Sequence, residues 1–185
     1  MLSPPTHDDV VVWESVLAPA HLDALTRSMR TAEGRPADVF APTGRLVDQR
    51  IRRTSRVEVP QPLADRTRRC FEGLHDRLEQ HFGVRLGGCE PPQFLRYERG
   101  DRFVPHSDVS AGRRVTVVLH IAQAGAARGN LTFFAPSPTV TWQTCRKKIS
   151  FPPGSVIAFP ADLVHEVPPV RVGPRLTVVT WFWNG

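Results

Sequence analysis

The spacing of apolar residues changes character near position 90. Before it, two stretches repeat with the helical period. Pro19 to Ala32 carries Leu22, Leu25 and Met29, and about Pro62 to Phe82 carries Cys70, Phe71, Leu74, Leu78 and Phe82, with Gly83 as a stop signal. Val10 to Trp13 reads as a strand ahead of the first helix. From Pro91 onward the apolar runs are short and separated by turn residues. They predict strands over Gln93–Tyr97, Val115–Ile121, Leu131–Phe134, Thr139–Thr144, Lys148–Phe151, Ser155–Phe159 and Arg175–Trp183. Pro152-Pro153-Gly154 and Gly173-Pro174 punctuate them. Helices followed by many regularly spaced strands predict an α+β, mainly β chain: an antiparallel barrel or jelly roll with the N-terminal helices as buttresses on one outer face.

Between the two helices, Gly34 to Arg53 breaks both periods and holds Arg35, Arg45, Arg50, Arg52 and Arg53 among Pro and Gly. It reads as a loop or hairpin. Its arginines are either a solvated surface or, in an enzyme, a flap over the substrate mouth, where Arg45 and Arg50 would meet an acidic or carboxylate-bearing substrate.

Composition narrows the picture. With 185 residues, 41% hydrophobic and 23% charged, the chain suits one globular domain. Residues 1–90 would support a core at about 91–183. Nothing approaches an 18-residue apolar run, so no membrane span is expected. The first residues lack the layout of a signal peptide. Cys70, Cys89 and Cys145 are odd in number and widely spaced, which fits a reducing, cytoplasmic setting. The net charge of +6 and pI near 10.2 would suit a nucleic-acid partner. The arginines are spread along the chain rather than clustered, however, and a carboxylate-bearing co-substrate uses positive charge equally well.

The candidate chemistry lies in His106, Asp108, a distant His165 and, ten positions further, Arg175. Two imidazoles and one carboxylate can occupy one face of a six-coordinate Fe(II) and leave three positions open. On a strand, His106 and Asp108 would leave the same face. Ligand type alone also permits zinc, although structural zinc sites usually include closely spaced cysteines, which are absent here.

These residues sit in a recognisable order. Tyr97 to Asp108 is similar to the Y-x-x-G-x-x-F-x-x-H-x-D signature of prolyl 4-hydroxylase-like Fe(II)/2-oxoglutarate dioxygenases. Arg113 to Ile121 resembles the next core strand of that family, and Gly129-Asn130-Leu131-Thr132-Phe133 stands where the family has Gly-Gly and a strand. Pro152 to Phe159 matches its P-x-G-x-x-x-x-F approach to the distal histidine, and His165 to Arg175 its H-x-V-x-x-V-x-x-G-x-R ending. Arg53-Thr54-Ser55 is weakly similar to an early strand. The good match covers roughly residues 91–183.

The resemblance implies that His106, Asp108 and His165 bind Fe(II), with 2-oxoglutarate and dioxygen as co-substrates; it leaves ascorbate open as an accessory. Arg175 would pair with the remote carboxylate of 2-oxoglutarate, since a guanidinium fork matches a carboxylate. Thr177 and Tyr97 would assist it. His120, where some members have tyrosine, would either contact the same carboxylate or be a polar strand end without chemical consequence. Trp181, on the Arg175 face, and Arg113 are candidates for substrate contact. The implied reaction hydroxylates an aliphatic C–H bond of a prolyl, amino-acid or related small natural-product substrate, with succinate and carbon dioxide as co-products. Two rivals are a nucleic-acid alkyl-demethylase of the same superfamily and a cupin-like non-oxidative metal-binding protein. The first typically has a second arginine six residues after the first, where this chain has Trp181. The second would have no need of Arg175.

Overall fold

The computed structural model describes residues 6–41, 44–110, 112–123, 129–136 and 144–185. A short 3-10 turn (His7–Asp9) leads into β1 (Val11–Trp13) and α1 (Pro19–Thr31). Next come β2 (Gly34–Pro36), β3 (Val39–Ala41), β4 (Gly44–Leu46), β5 (Arg52–Arg53), β6 (Ser55–Val57), α2 (Gln61–Glu72) and α3 (His75–Phe82). The strand-rich half holds β7 (Leu86–Cys89), β8 (Gln93–Tyr97), β9 (Arg102–His106), β10 (Arg113–Gln123), β11 (Gly129–Pro136), β12 (Thr144–Phe151), β13 (Val156–Pro160), β14 (Val164–Val167) and β15 (Arg175–Asn184).

Helix α1 starts on Pro19, whose missing N–H would be unpaired there in any case. It ends where Arg96, reaching over from β8, donates to the carbonyls of Met29, Arg30 and Ala32 at 3.1, 3.3 and 2.7 Å. The single helix expected over 62–82 is two helices. The chain tightens at Gly73 and Leu74, where Leu74 N–H bonds back only to the Phe71 carbonyl. Glycine is a poor helix former, and a one-step tightening re-aims the second helix while both keep their apolar stripe inward. Gly83 ends α3 in the left-handed conformation, as expected of a C-terminal glycine.

Among the described residues all strand pairings are antiparallel and build two main sheets. The larger runs β1-β13-β10-β15-β8-β6-β2, with β7 also on β15, and the smaller runs β12-β11-β14-β9-β5. The period-2 alternation of the long central strands decides which core each side chain enters. Val115, Val117, Leu119 and Ile121 on β10, with Leu176, Val178 and Phe182 on β15, pack with Leu25, Met29, Phe71 and Leu78 of the helices. The alternate residues Val118, Val179 and Trp181 face the other way and pack with Leu131, Phe133, Phe159 and Val167. The helices therefore do buttress one face of a sheet.

The Gly34–Arg53 stretch is more ordered than a loop. β2 adds to the large sheet, β3 and β4 form a hairpin, and β5 adds to the small sheet. The expected strands at Lys148–Phe151 and Thr144 merge into the single β12. Residues 139–143 of the expected Thr139–Thr144 strand lie outside the described residues, as does Trp142. No helix of the described residues is long and apolar enough to cross a membrane.

Candidate active site

The small sheet supplies both imidazoles. β9 and β14 pair so that His106 lies directly opposite His165, with ring centroids 4.3 Å apart. Asp108 arrives differently from the strand alternation expected of it. β9 ends at His106, and Asp108 follows in irregular chain held by its N–H donating to the Ala161 carbonyl at 2.8 Å. Its carboxylate oxygens lie 3.8 Å from His106 Nε2 and 3.5 Å from His165 Nε2. One ligand atom from each residue falls within 4.8 Å of the others. Adjacent ligands of an octahedral ion with bonds of roughly 2.1 Å sit about 3 Å apart, so small side-chain adjustments close this set on a metal.

Backbone carbonyls assign the histidine tautomers. His106 Nδ1 lies 2.8 Å from the Val104 oxygen and His165 Nδ1 3.0 Å from the Leu163 oxygen. A carbonyl can only accept, so each Nδ1 carries the proton and each Nε2 offers a lone pair towards Asp108. Burial, and then the charge of His165, pushes His106 down to about 3 despite the opposing Asp108, so its ring is neutral at neutral pH. Burial alone would raise Asp108, but the imidazoles of His165 and His106 and a 2.8 Å hydrogen bond donated by the Thr116 hydroxyl hold it below the usual carboxylate range. The Trp181 indole N–H also favours the ionised form but makes no hydrogen bond of good geometry.

The inter-sheet faces of β8, β10 and β15 wall a cavity of about 190 Å³ over this triad. Arg175 lies in it, 2% exposed and in register with Tyr97 on β8, its guanidinium carbon 5.4 Å from the Tyr97 ring centre. Its Nε and Nη1 are buried without a hydrogen-bond partner, and burial holds its pKa below the ordinary arginine value. An unpaired guanidinium in an apolar wall is costly, so the arrangement calls for an anion. Thr177 lies two residues on, on the same face and in the same lining. The residues thus fit both an Fe(II) ion and a dicarboxylate co-substrate.

The remaining candidates divide. Trp181 and Arg113 line the cavity, with the Arg113 guanidinium 3.8 Å over the Trp181 ring and paired to Glu90 through both of its forks. Arg113 is therefore already engaged as part of a stiff wall. His120 shares the face of Thr116 and Val118 but is absent from the cavity lining; it is fully buried, edge-on to Phe151 and directly beneath Gly129. Arg50 is outside the lining, paired with Asp48 at 3.0 Å with its side chain 90% exposed. Arg45 sits on β4, and its side chain lies outside the described residues.

Three polar lining residues carry no distinguishing signal in the sequence, Arg52 first among them. Arg52 is 8% exposed and enters the cavity beside Phe103. Its only sequence signal was membership of the Arg-rich stretch, where charge alone gave no reason to prefer it over its four neighbours. Gln93 and Asp38 were missed likewise.

Residues 92–183 match the model of the 2OG-Fe(II) oxygenase superfamily. A PKHD-type hydroxylase of Nitrobacter winogradskyi is 29% identical over 102 residues, covering 49% of this chain and 42% of that protein. This chain thus spans under half the length of that relative. Among solved structures, a prolyl-4-hydroxylase of Pseudomonas putida superposes with a TM-score of 0.75 at 21% identity, covering 95% of this chain and 93% of its own. A Trichoplax adhaerens prolyl hydroxylase, in complex with a hypoxia inducible factor peptide, gives 0.74 at 15% identity over 96% and 84%. The epimerase SnoN, in complex with Fe3+, alpha ketoglutarate and nogalamycin RO, gives 0.63 at 17% identity over 95% and 79%. The ordered motifs, the triad and the family match agree: the chain belongs to the 2OG-Fe(II) oxygenase superfamily.

Proposed function

We propose that this chain is a hydroxylase acting on an aliphatic C–H bond of a prolyl, amino-acid or related small natural-product substrate, with succinate and carbon dioxide as co-products. The observation that carries the reading is one cavity holding both a His-Asp-His set with inward Nε2 atoms and a buried, unpaired Arg175. We read the two sheets as the halves of a double-stranded β-helix and residues 1–185 as a single domain. Its setting is read as a reducing, cytoplasmic one, in line with three unpaired thiols.

Bound Fe(II), with 2-oxoglutarate and dioxygen, supplies the oxidising chemistry. The chain's own residues do the rest. His106, Asp108 and His165 hold three positions of the metal and leave the others to ligands. Thr116, donating to one Asp108 oxygen, fixes the carboxylate's rotation. Arg175 takes the remote carboxylate of 2-oxoglutarate, with Thr177 and Tyr97 beside it. His120, in register with Thr177 on the neighbouring strand, is read as a contact for the same carboxylate. Leu95, Val118, Leu131, Val167 and Val179 keep water from the reacting bond. Trp181, stiffened by Arg113, walls the substrate side.

The test is anaerobic loading with Fe(II) and 2-oxoglutarate, then oxygen, with prolyl peptides and free amino acids as substrates. One succinate per hydroxylated product, absent in His106→Ala, is the expected result. Tight metal binding with no 2-oxoglutarate consumed under any condition would sink the reading and favour a non-oxidative, cupin-like role.

A further inference from the structure

Once the metal ligands and the Arg175 pocket are set aside, the cavity still holds a second buried guanidinium. β5 pairs with β9 so that Arg52 lies opposite Phe103. The Arg52 guanidinium carbon is 4.9 Å from the Phe103 ring centre. That ring in turn stacks on the His106 imidazole with centroids 3.4 Å apart and planes within 17°. Arg52 is thus one ring away from a metal ligand, near enough for its charge to help lower the His106 pKa.

Its hydrogen bonding is incomplete. Arg52 Nη1 donates to the Asp38 backbone carbonyl at 3.0 Å, and Nε is buried without a partner. Among the described residues no carboxylate pairs with it, whereas three nearby arginines are committed. Arg50 is paired to Asp48, Arg53 to Asp101 and Arg113 to Glu90. A charge in an enclosed wall with one neutral acceptor and one idle donor is not explained by the fold. Asp38 contributes only its backbone carbonyl to the printed contact with Arg52 (Nη1 at 3.0 Å).

We propose that Arg52 is an anion-binding subsite of the substrate cavity, selecting substrates that carry a carboxylate beside the bond to be hydroxylated. This rests on the hydroxylase reading above and adds a substrate class to it. The carboxylate would pair with the Arg52 guanidinium, and Phe103 would set its distance from the metal. Cationic and neutral ligands of the same shape would leave the buried charge uncompensated. The acid preference that the Arg-rich stretch suggested for Arg45 and Arg50 thus moves to Arg52.

The test uses calorimetry on protein loaded with Zn(II), which holds the site without oxygen chemistry, with and without 2-oxoglutarate. The probes are the N-acetyl-L-amino acids and their primary amides, matched pairs differing in one charge. At least one acid should bind roughly ten- to a hundredfold more tightly than its amide, the range of a charge-assisted contact. Arg52→Gln should erase that ratio while 2-oxoglutarate still binds, which also shows the variant folded. Arg52→Met, which keeps the apolar stem over Phe103, is the second variant should Arg52→Gln not fold. If no acid outbinds its amide, or if the preference survives loss of Arg52, the proposal is wrong. Failure of 2-oxoglutarate itself to bind the loaded wild-type protein would instead count against the hydroxylase reading, and the acid–amide ratio is read independently of it.

Discussion

His106 and His165 are prepared by the same device: each Nδ1–H is spent on a carbonyl two residues back, so each ring presents Nε2 and cannot swing away. Removing either imidazole leaves two ligands. His165→Ala should therefore lose Fe(II) binding and turnover together, as equilibrium dialysis would show. Arg175 has a separable role. Arg175→Ala should keep metal affinity but raise the 2-oxoglutarate requirement about 10–150-fold, equivalent to roughly 1.5–3 kcal/mol for a charge-assisted pair. Equal loss of metal in both variants would show Arg175 to be structural. The candidate metal ligands and Arg175 were legible as a cluster because their residue types are rare in the interior and their order along the chain matches a family pattern. Asp108 was legible for a partly mistaken reason, since the Ala161 carbonyl rather than a strand's pleat aims it. Arg52 was not legible, because burial of one arginine among five is decided by the register of β5 on β9, a long-range pairing.

At the scale of elements, strands β8, β10, β13 and β15 were readable because their apolar runs are long and bounded by turns. β9 and β14 were not predicted as strands, although they carry both metal imidazoles. Arg102, Pro105, His106, His165 and Glu166 dilute their apolar signal, and only pairing with each other and with β11 makes them strands. Helix α1 was readable from its stripe, but its lock was not. Arg96 caps three carbonyls from a strand 64 to 67 residues away in sequence. Those carbonyls are at the negative end of the helix, which a cation favours. Arg96→Ala should cost about 1–3 kcal/mol in urea unfolding. Arg96→Lys should recover only part of it, since an ammonium cannot spread over the same acceptors. A loss of a few tenths of a kcal/mol would show the carbonyls to be satisfied by water instead.

At the scale of the whole molecule, two apolar cores share the large sheet, one against the helices and one around the metal cavity. Buried imidazoles in both couple stability to pH. Burial and the Arg66 charge lower the pKa of His21, which hydrogen-bonds Thr67 at 3.0 Å, and His106 falls to about 3. The unfolded chain would protonate both near 6.5, so it binds more protons than the folded one below that pH. Their contribution to stability is full above about 6.5 and declines as pH falls below it, for His106 down to about 3. The partly exposed His75, raised by the Leu86 carbonyl and then Asp76, acts in the opposite direction but is screened by solvent. Metal-free protein should therefore melt at progressively lower temperature between pH 7 and pH 5. His21→Gln, which can keep a bond to Thr67, should flatten that slope; an unchanged slope would exclude His21 as its source.

On the proposed reading one cavity binds a metal and 2-oxoglutarate at the same time, the metal through His106, Asp108 and His165 and the acid through Arg175. Anaerobic addition of Fe(II) and then 2-oxoglutarate, followed in the visible spectrum, tests it most directly. The expected result is a weak metal-to-ligand charge-transfer band that is absent in His165→Ala and needs far more 2-oxoglutarate in Arg175→Ala. Tight Fe(II) binding by the wild-type protein with no band at any 2-oxoglutarate concentration would contradict it.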